Sequence, residues 1–304
     1  MISATINKYC YIFTRYLPPF FDHNYRIRYT KREETKTIPE IQHPSVRECL
    51  KFLNIDQGIE MTHTSDLPAM SGLGSSSAFT VGFLHALYAL MGKMVSKRQL
   101  ALEAIHIEQD LIKENVGSQD QTAVAFGGFN KVEFGGDHKI IVRPIAIDAE
   151  KLNTLQNSLM LFFTGYSRNA SDIAAEQIRT LYEKADQLQA MTRLAEEASK
   201  VLQGSQDNLD EFGRLLHENW QLKRTLATNI TNKPIDEIYQ AGIDAGALGG
   251  KLLGAGSGGF ILFFVRPALQ HKVKEKLKNL VYVPFKFENI GSQVVYYAPQ
   301  ESFK

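Results

Sequence analysis

The stretch from residue 66 to residue 80 combines glycines and hydroxyl side chains in the order expected of an anion-binding loop. Pro68 stiffens its start, and Gly72 and Gly74 permit backbone angles and close approaches that a side chain would prevent. Three serines, Ser75–Ser77, lead into an apolar run that predicts a buried helix. A glycine loop at a helix N-terminus presents free N–H groups and the positive end of the helix dipole. The stretch therefore predicts a cradle for nucleotide phosphates.

Two later stretches carry further groups suited to phosphoryl chemistry. In Gly117-Ser-Gln-Asp120-Gln, a turn that opens a short helix contains a carboxylate, which could accept a proton or could simply cap the helix. The glycine-rich stretch 251–259 contains a GxGxxG match from Gly254 to Gly259. A dinucleotide site is not favoured there, because a Rossmann loop opens a helix whereas a strand-like apolar run follows this one. The sequence has no GxxxxGK[ST] pattern, which excludes a P-loop NTPase.

Strand and helix patterns occur in both halves of the chain, so the predicted fold class is α+β. Strands are predicted over residues 2–16, 25–36, 58–64, 158–163, 259–265, 281–288 and 293–298, and a hairpin over 127–144. Besides the helix after the serines, helices are predicted over 46–53, 96–114, 170–202, 209–227, 235–247 and 268–280. A polar segment after residue 148 suggests a boundary between an N-terminal domain, 1–152, and a C-terminal domain, 153–304.

Composition and charge limit the classes of function. The 304 residues are 44% hydrophobic, and the net charge of +1 gives no reason to expect a nucleic-acid or membrane partner. Cys10 and Cys49 lie in unrelated contexts and predict reduced thiols in a cytoplasmic protein. The start of the chain does not resemble a signal peptide, and the histidines show no spacing typical of zinc ligands. The oligomeric state is left open, with a homodimer as one expectation.

Taken together, the three stretches resemble the GHMP kinase superfamily of galactokinase, homoserine kinase, mevalonate kinase and phosphomevalonate kinase. Residues 5–9, 164–173 and 216–220 are most similar to the bacterial D-glycero-D-manno-heptose 7-phosphate kinases. The resemblance covers the whole chain. It implies an N-terminal α/β domain and a ferredoxin-like C-terminal domain with the active site in the cleft between them. It also implies ATP, Mg²⁺ and a small phosphosugar, phosphorylated at its anomeric hydroxyl to the 1,7-bisphosphate that leads to nucleotide-activated heptose.

The resemblance also implies roles for single residues. The residues expected to bind the ATP phosphates are Gly72, Leu73, Gly74, Ser75, Ser76 and Ser77. Ser76 and Glu108 match the ligands of Mg²⁺, and Asp120 matches the aspartate that acts as base or orients the acceptor hydroxyl. Gly256 and Ser257 belong to the loop expected near the substrate. Such a set agrees with phosphoryl transfer, which depends mostly on positioning and charge stabilisation.

Arg168 is the candidate ligand of the sugar's 7-phosphate. It follows a strand end and precedes a helix start, where a phosphate would find both a guanidinium and free N–H groups. A surface arginine is the alternative. Glu108 also has an alternative interpretation, as a solvated helix glutamate beside an apolar stripe.

The sequence departs from the family at its start. Members usually begin with a segment of the type Arg-Ile-Ser-Phe-x-Gly-Gly-Gly-Thr-Asp, whereas this chain begins where the following strand is expected, at Ile2. The departure predicts uncovered strand edges, lower stability and weak or absent sugar kinase activity for this chain. Two alternatives to the heptose kinase stay open: a kinase of another sugar, fucose- or galactose-like, and a non-catalytic nucleotide- or sugar-binding protein.

Overall fold

The computed structural model describes residues 1–136, 139–166, 170–180, 182–204 and 208–299. The strands are β1 Ile2–Ile6, β2 Cys10–Tyr16, β3 Tyr25–Arg28, β4 Arg32–Thr35, β5 Ile59–Ser65, β6 Phe129–Phe134, β7 Ile140–Pro144, β8 Leu159–Phe163, β9 Gly249–Leu252, β10 Phe260–Phe264, β11 Val281–Val283 and β12 Phe287–Glu288. The α-helices are α1 Pro44–Phe52, α2 Ser75–Leu90, α3 Lys97–His106, α4 Gln119–Phe126, α5 Ala149–Ser158, α6 Ala170–Thr180, α7 Ala185–Gln203, α8 Leu209–Arg224, α9 Lys233–Asp244 and α10 Gln270–Lys276. A π-helical turn, Ile107–Leu111, continues α3.

These elements form two compact units that are interleaved along the chain. The first unit comprises residues 1–7, 69–73 and 128–288, and the second comprises 8–68, 74–127 and the segment that starts at Asn289. The predicted α+β class is confirmed, because each unit contains both sheets and helices. The division predicted between residues 152 and 153 stays a prediction about the family's domains.

The second unit is a sheet with helices packed on one face. Its strand order is β2-β5-β3-β4, with β3 parallel to β5 and the other pairs antiparallel. Alternate residues such as Ile27, Ile59 and Met61 are fully buried in one core with side chains of α2. On the edge strand β2 the alternate side chains Tyr11 and Phe13 are exposed instead, as the period of two in a strand requires.

The first unit contains two four-stranded sheets, ordered β12-β1-β6-β7 and β11-β8-β10-β9. Trp220 on α8 is fully buried in a core with Phe162 and Phe263 from the second of these sheets. No helix in the described ranges is both long and apolar enough to cross a lipid bilayer.

Four strand predictions were wrong. Residues 25–36 form two antiparallel strands, β3 and β4, and residues 281–288 form β11 and β12, which pair in different sheets. The strand predicted over residues 2–16 is two strands, since β1 pairs with β6 and β12 in the first unit while β2 pairs with β5 in the second. The consecutive polar residues Asn7 and Lys8 interrupt the alternation where the break occurs, but the same phase resumes at Cys10, so the pattern predicts one strand.

Residues 293–298, also predicted as a strand, form no regular structure. Their high β-propensity does not produce a strand because propensity reflects packing against a partner, and Val295 and Tyr296 are 80% and 78% exposed.

His43 lies in an aromatic cluster of the second unit. Its ring stacks on Phe79 with centroids 4.4 Å apart and meets Tyr29 edge-on at 4.7 Å. Its Nδ1 is buried and has no hydrogen-bond partner among the described residues. Burial lowers the pKa of His43 to about 4, because the charged ring would lose its hydration.

We expect His43 to make the protein less stable as the pH falls from 6.5 to 4. The unfolded chain takes up a proton near the ordinary histidine pKa of 6.5, whereas the folded chain resists it until about 4, so protons favour unfolding across this window. The full effect is at most about 3–4 kcal/mol, of which about 2 kcal/mol is lost by pH 5. Urea unfolding at pH 7.5 and pH 5 measures it, and His43→Phe should reduce the loss. The same substitution at exposed His271 is the control, and equal losses in all three proteins would contradict the prediction.

Candidate active site

The N-terminus of α2 is built to receive an anion. Gly74 is its N-cap and adopts left-handed backbone angles, φ 70° and ψ 25°, which a residue with a Cβ adopts only with strain. The first intrahelical bond runs from the Ala78 N–H to the Gly74 carbonyl at 2.8 Å. The N–H groups of Ser75–Ser77 have no acceptor within the helix, and Gly74 has no side chain to supply one. The helix start therefore offers donors and a positive dipole end to a phosphate.

Asp120 lies directly against this glycine. It occupies the first turn of α4, and its side chain is exposed. A Cβ built on Gly74 would come within 3.2 Å of the Asp120 Cγ and 3.3 Å of its Oδ2. The structure thus brings two of the three predicted stretches together, with a carboxylate beside the phosphate-binding helix start.

Glu108 is a buried carboxylate rather than a solvated one. Glu108 lies in the π-helical turn after α3 and is only 1% exposed. Such turns are rare and are frequent at functional sites. Ser77 Oγ donates to Glu108 Oε2 at 3.0 Å, and Gln121 Nε2 donates to the same oxygen. Burial raises the pKa of Glu108, and the neighbouring polar side chains of Thr80, Gln121 and Ser77 oppose that rise.

The buried carboxylate fits the role of a magnesium ligand. Glu108 Oε1 has no hydrogen-bond partner in the described part of the chain, so a buried anionic oxygen is left for a cation. Mg²⁺ prefers hard oxygen ligands and is commonly bound by one or two carboxylates together with substrate phosphates and water. The described residues contain no group of three or more His, Cys, Asp and Glu side chains suited to a metal.

The serine beside Glu108 is Ser77, which is buried, whereas Ser76 is exposed and its carbonyl accepts from Thr80 Oγ1 at 3.3 Å. The role of Ser76 at the metal stays a prediction. Sequence reasoning missed Ser77 and Gln121 as hydrogen-bond partners of Glu108, and Thr80 as its buried neighbour. A signal existed, since Ser77 and Thr80 are polar residues three positions apart on one face of a largely apolar helix.

The glycine-rich loop of the first unit packs against residues 71 and 72. Gly72 has φ +79°, and a Cβ there would lie 2.8 Å from the Leu253 carbonyl oxygen. Gly256 and Ser257 are both buried, and the Ser257 hydroxyl donates to the Asn229 carbonyl. That hydroxyl therefore supports the loop, and the predicted contact of these two residues with substrate stays a prediction. Arg168 lies outside the described residues.

We expect Gly72→Ala to destabilise the protein by roughly 2–4 kcal/mol, because left-handed angles cost an L-residue about 1–2 kcal/mol and a backbone oxygen blocks the new methyl group. Gly92→Ala is the matched control. Gly92 has φ +67° but nothing within 4 Å of its Cβ position, so only the conformational cost applies there. Chemical denaturation of both variants measures the difference, and equal losses would show that the close approach at Gly72 costs nothing.

Comparison with known proteins places these motifs in a family. The family model described as GHMP kinases N terminal domain matches residues 44–128, and that described as GHMP kinases C terminal matches residues 201–283. The chain is 32% identical over 219 residues to a D-glycero-alpha-D-manno-heptose 7-phosphate kinase of Campylobacter jejuni, covering 71% of this chain and 64% of the relative. It is 28% identical over 235 residues to a mevalonate kinase of Pyrococcus horikoshii, covering 75% of this chain and 65% of the relative. Both matches thus span slightly less than two thirds of the relative.

A solved structure described as a D-glycero-D-manno-heptose 1-phosphate kinase from Bacteriodes thetaiotaomicron shares the fold. It has a TM-score of 0.73 and 24% identity, covering 96% of this chain and 88% of that protein. Together the two family models match more than half of the chain, including the helix start with its serines, Glu108, Asp120 and the late glycine loop. The chain therefore belongs to the GHMP kinase family.

Proposed function

We propose that this chain is an ATP-dependent sugar kinase that phosphorylates D-glycero-D-manno-heptose 7-phosphate at the anomeric hydroxyl. One observation carries the kinase assignment. The buried carboxylate of Glu108, one oxygen of which has no hydrogen-bond partner among the described residues, accepts a bond from the first turn of α2. The glycine N-cap of that helix lies against a second carboxylate, Asp120. The heptose substrate is supported by the name of the relative that is 32% identical.

The proposal divides the reaction among residues of the second unit. The N–H groups at the start of α2 bind phosphate oxygens of ATP. Glu108 and a serine hydroxyl from the first turn of α2 would hold Mg²⁺, and the ion would neutralise charge on the phosphates. Asp120 orients the acceptor hydroxyl and takes its proton while the new O–P bond forms and the bond from the γ-phosphorus to ADP breaks.

The wider context is part of the same proposal. The product, a 1,7-bisphosphate, carries the anomeric phosphate from which a nucleotide-activated heptose is made. We assign the reaction to the cytoplasm, where ATP is available, and keep Arg168 as the predicted ligand of the 7-phosphate.

The identity of the acceptor substrate is less well supported than the kinase activity. The names of similar proteins differ, since one is a heptose 7-phosphate kinase, another a heptose 1-phosphate kinase and a third a mevalonate kinase. A fucose- or galactose-like sugar and a non-catalytic binding protein remain the alternatives.

An assay that couples ADP release to NADH oxidation tests the proposal. The acceptors are heptose 7-phosphate, heptose 1-phosphate, unphosphorylated heptose, fucose, galactose and mevalonate. We expect turnover with heptose 7-phosphate above all other acceptors. Turnover with another acceptor alone would overturn the substrate, and ATP binding without ADP release would identify a non-catalytic protein.

A further inference from the structure

Glu108 lies in a small buried polar cluster, and the hydrogen bonds to its carboxylate reach only one of the two oxygens. Gln121 and Thr80 are 0% exposed and Ser77 is 5% exposed, so water does not compete for the carboxylate. The bonds from Ser77 and Gln121 both end on Oε2, whereas Oε1 receives none among the described residues. A carboxylate held by two donors on one oxygen cannot rotate freely, and its other oxygen keeps a fixed direction.

Gln121 donates to Glu108 through an amide whose orientation is restricted. An ionised carboxylate only accepts hydrogen bonds, so the amide nitrogen of Gln121 has to face it. That choice leaves the Gln121 Oε1 buried without a partner in the described part of the chain. Because the Gln121 amide satisfies Glu108 and leaves its own oxygen without a partner among the described residues, its orientation serves the carboxylate.

The position of Gln121 on α4 links this bond to the reacting groups. Gln121 directly follows Asp120 in the first turn of that helix. Ser77 belongs to the first turn of α2, whose N-cap lies against Asp120. The carboxylate of Glu108 therefore accepts hydrogen bonds from the first turns of both α2 and α4. These turns also contain the candidate phosphate-binding N–H groups and Asp120.

We infer that Gln121 is a positioning residue, which holds the Glu108 carboxylate so that Oε1 stays directed toward the metal of a metal–nucleotide complex. This inference rests on the proposed function for the metal role of Glu108, but not on the identity of the sugar. Because Gln121 is fully buried, its role is exerted through Glu108 and not by contact with the substrate. Residues that orient a metal ligand typically contribute 10- to 100-fold to metal affinity.

The test measures metal binding rather than turnover. Mn²⁺ replaces Mg²⁺, and the electron paramagnetic resonance signal of free Mn²⁺ reports binding to the protein with a non-hydrolysable ATP analogue, without any sugar. Gln121→Met keeps the length of the side chain but removes the amide, and we expect its Mn²⁺ affinity to fall 10- to 100-fold. Affinity for the nucleotide without metal should not change. Gln119→Met, at an exposed position of the same helix, is the matched control and should bind like the wild type.

A second variant tests the same contact in another way, and the thermal unfolding midpoint of both variants shows whether they fold. Gln121→Glu keeps the shape of the side chain but sets an acceptor against the carboxylate, and we expect the same loss of Mn²⁺ affinity. Wild-type Mn²⁺ affinity in both variants would overturn the inference, even if heptose 7-phosphate is the true substrate. Metal–nucleotide binding that needs Gln121, in a protein that phosphorylates none of the sugars, would support the inference and overturn the proposed function. No metal-dependent nucleotide binding by the wild type would overturn both.

Discussion

Asp120→Asn is expected to lower kcat about 10³-fold while the protein still folds and binds ATP. The amide has almost the same shape as the carboxylate but cannot take the proton of the acceptor hydroxyl, and a positioned acid or base typically contributes 10²- to 10⁴-fold. The side chain is exposed beside Gly74, so its replacement buries no unpaired group and should leave the unfolding midpoint nearly unchanged. Steady-state kinetics of ADP release and a thermal unfolding scan check the two halves of this expectation.

Asp110→Asn is the matched control for that experiment. Asp110 is an exposed carboxylate in the π-helical turn, and it pairs with His106 at 2.7 Å. It lies in the same unit as Asp120, so loss of a surface charge alone should affect both variants alike. If both variants have the same kcat, Asp120 has no role in proton transfer and only caps the helix.

Glu108→Gln is expected to abolish most activity and yet leave the protein at least as stable as the wild type at neutral pH. The amide oxygen can still accept the bonds from Ser77 and Gln121, but a neutral amide is a poor ligand for Mg²⁺, so we expect a loss of about 10²-fold or more. The expected stability follows from the burial that raises the pKa of Glu108.

The sign of that stability effect depends on proton binding. Since the folded state holds the Glu108 proton more tightly than the unfolded state, stability falls as the pH rises from the ordinary glutamate pKa of 4.5 through the raised folded value. Above this window the wild type carries the cost of a buried charge, and the glutamine variant does not. Urea unfolding without metal, at pH 4 and pH 7.5, should show the variant gaining relative to the wild type only at the higher pH. The explanation would be wrong if the difference in unfolding free energy, variant minus wild type, were smaller at pH 7.5 than at pH 4.

Local patterns predicted the parts of the site that one segment can form alone. The glycine loop before α2 and the short helix that carries Asp120 follow from glycine conformations, serine hydroxyls and the end of an apolar run, all of which act within a few residues. The motifs also carried the family resemblance, which the family models confirm. Asp120 and the helix start were expected together only through that resemblance, and the structure brings them into contact.

The sequence by itself determined the helix start, the carboxylates and the family, because these depend on residue type and short spacing. Only the tertiary structure decided that Ser77 and Gln121 hold Glu108, that β1 and β2 join different sheets, and that Val295 and Tyr296 have no strand partner. The physical reason is that the rotation of one helix against another, and the partner of each strand, are set by packing between segments far apart in the chain. A single π-helical turn changes the face on which Glu108 lies, and no residue pattern near it records that change.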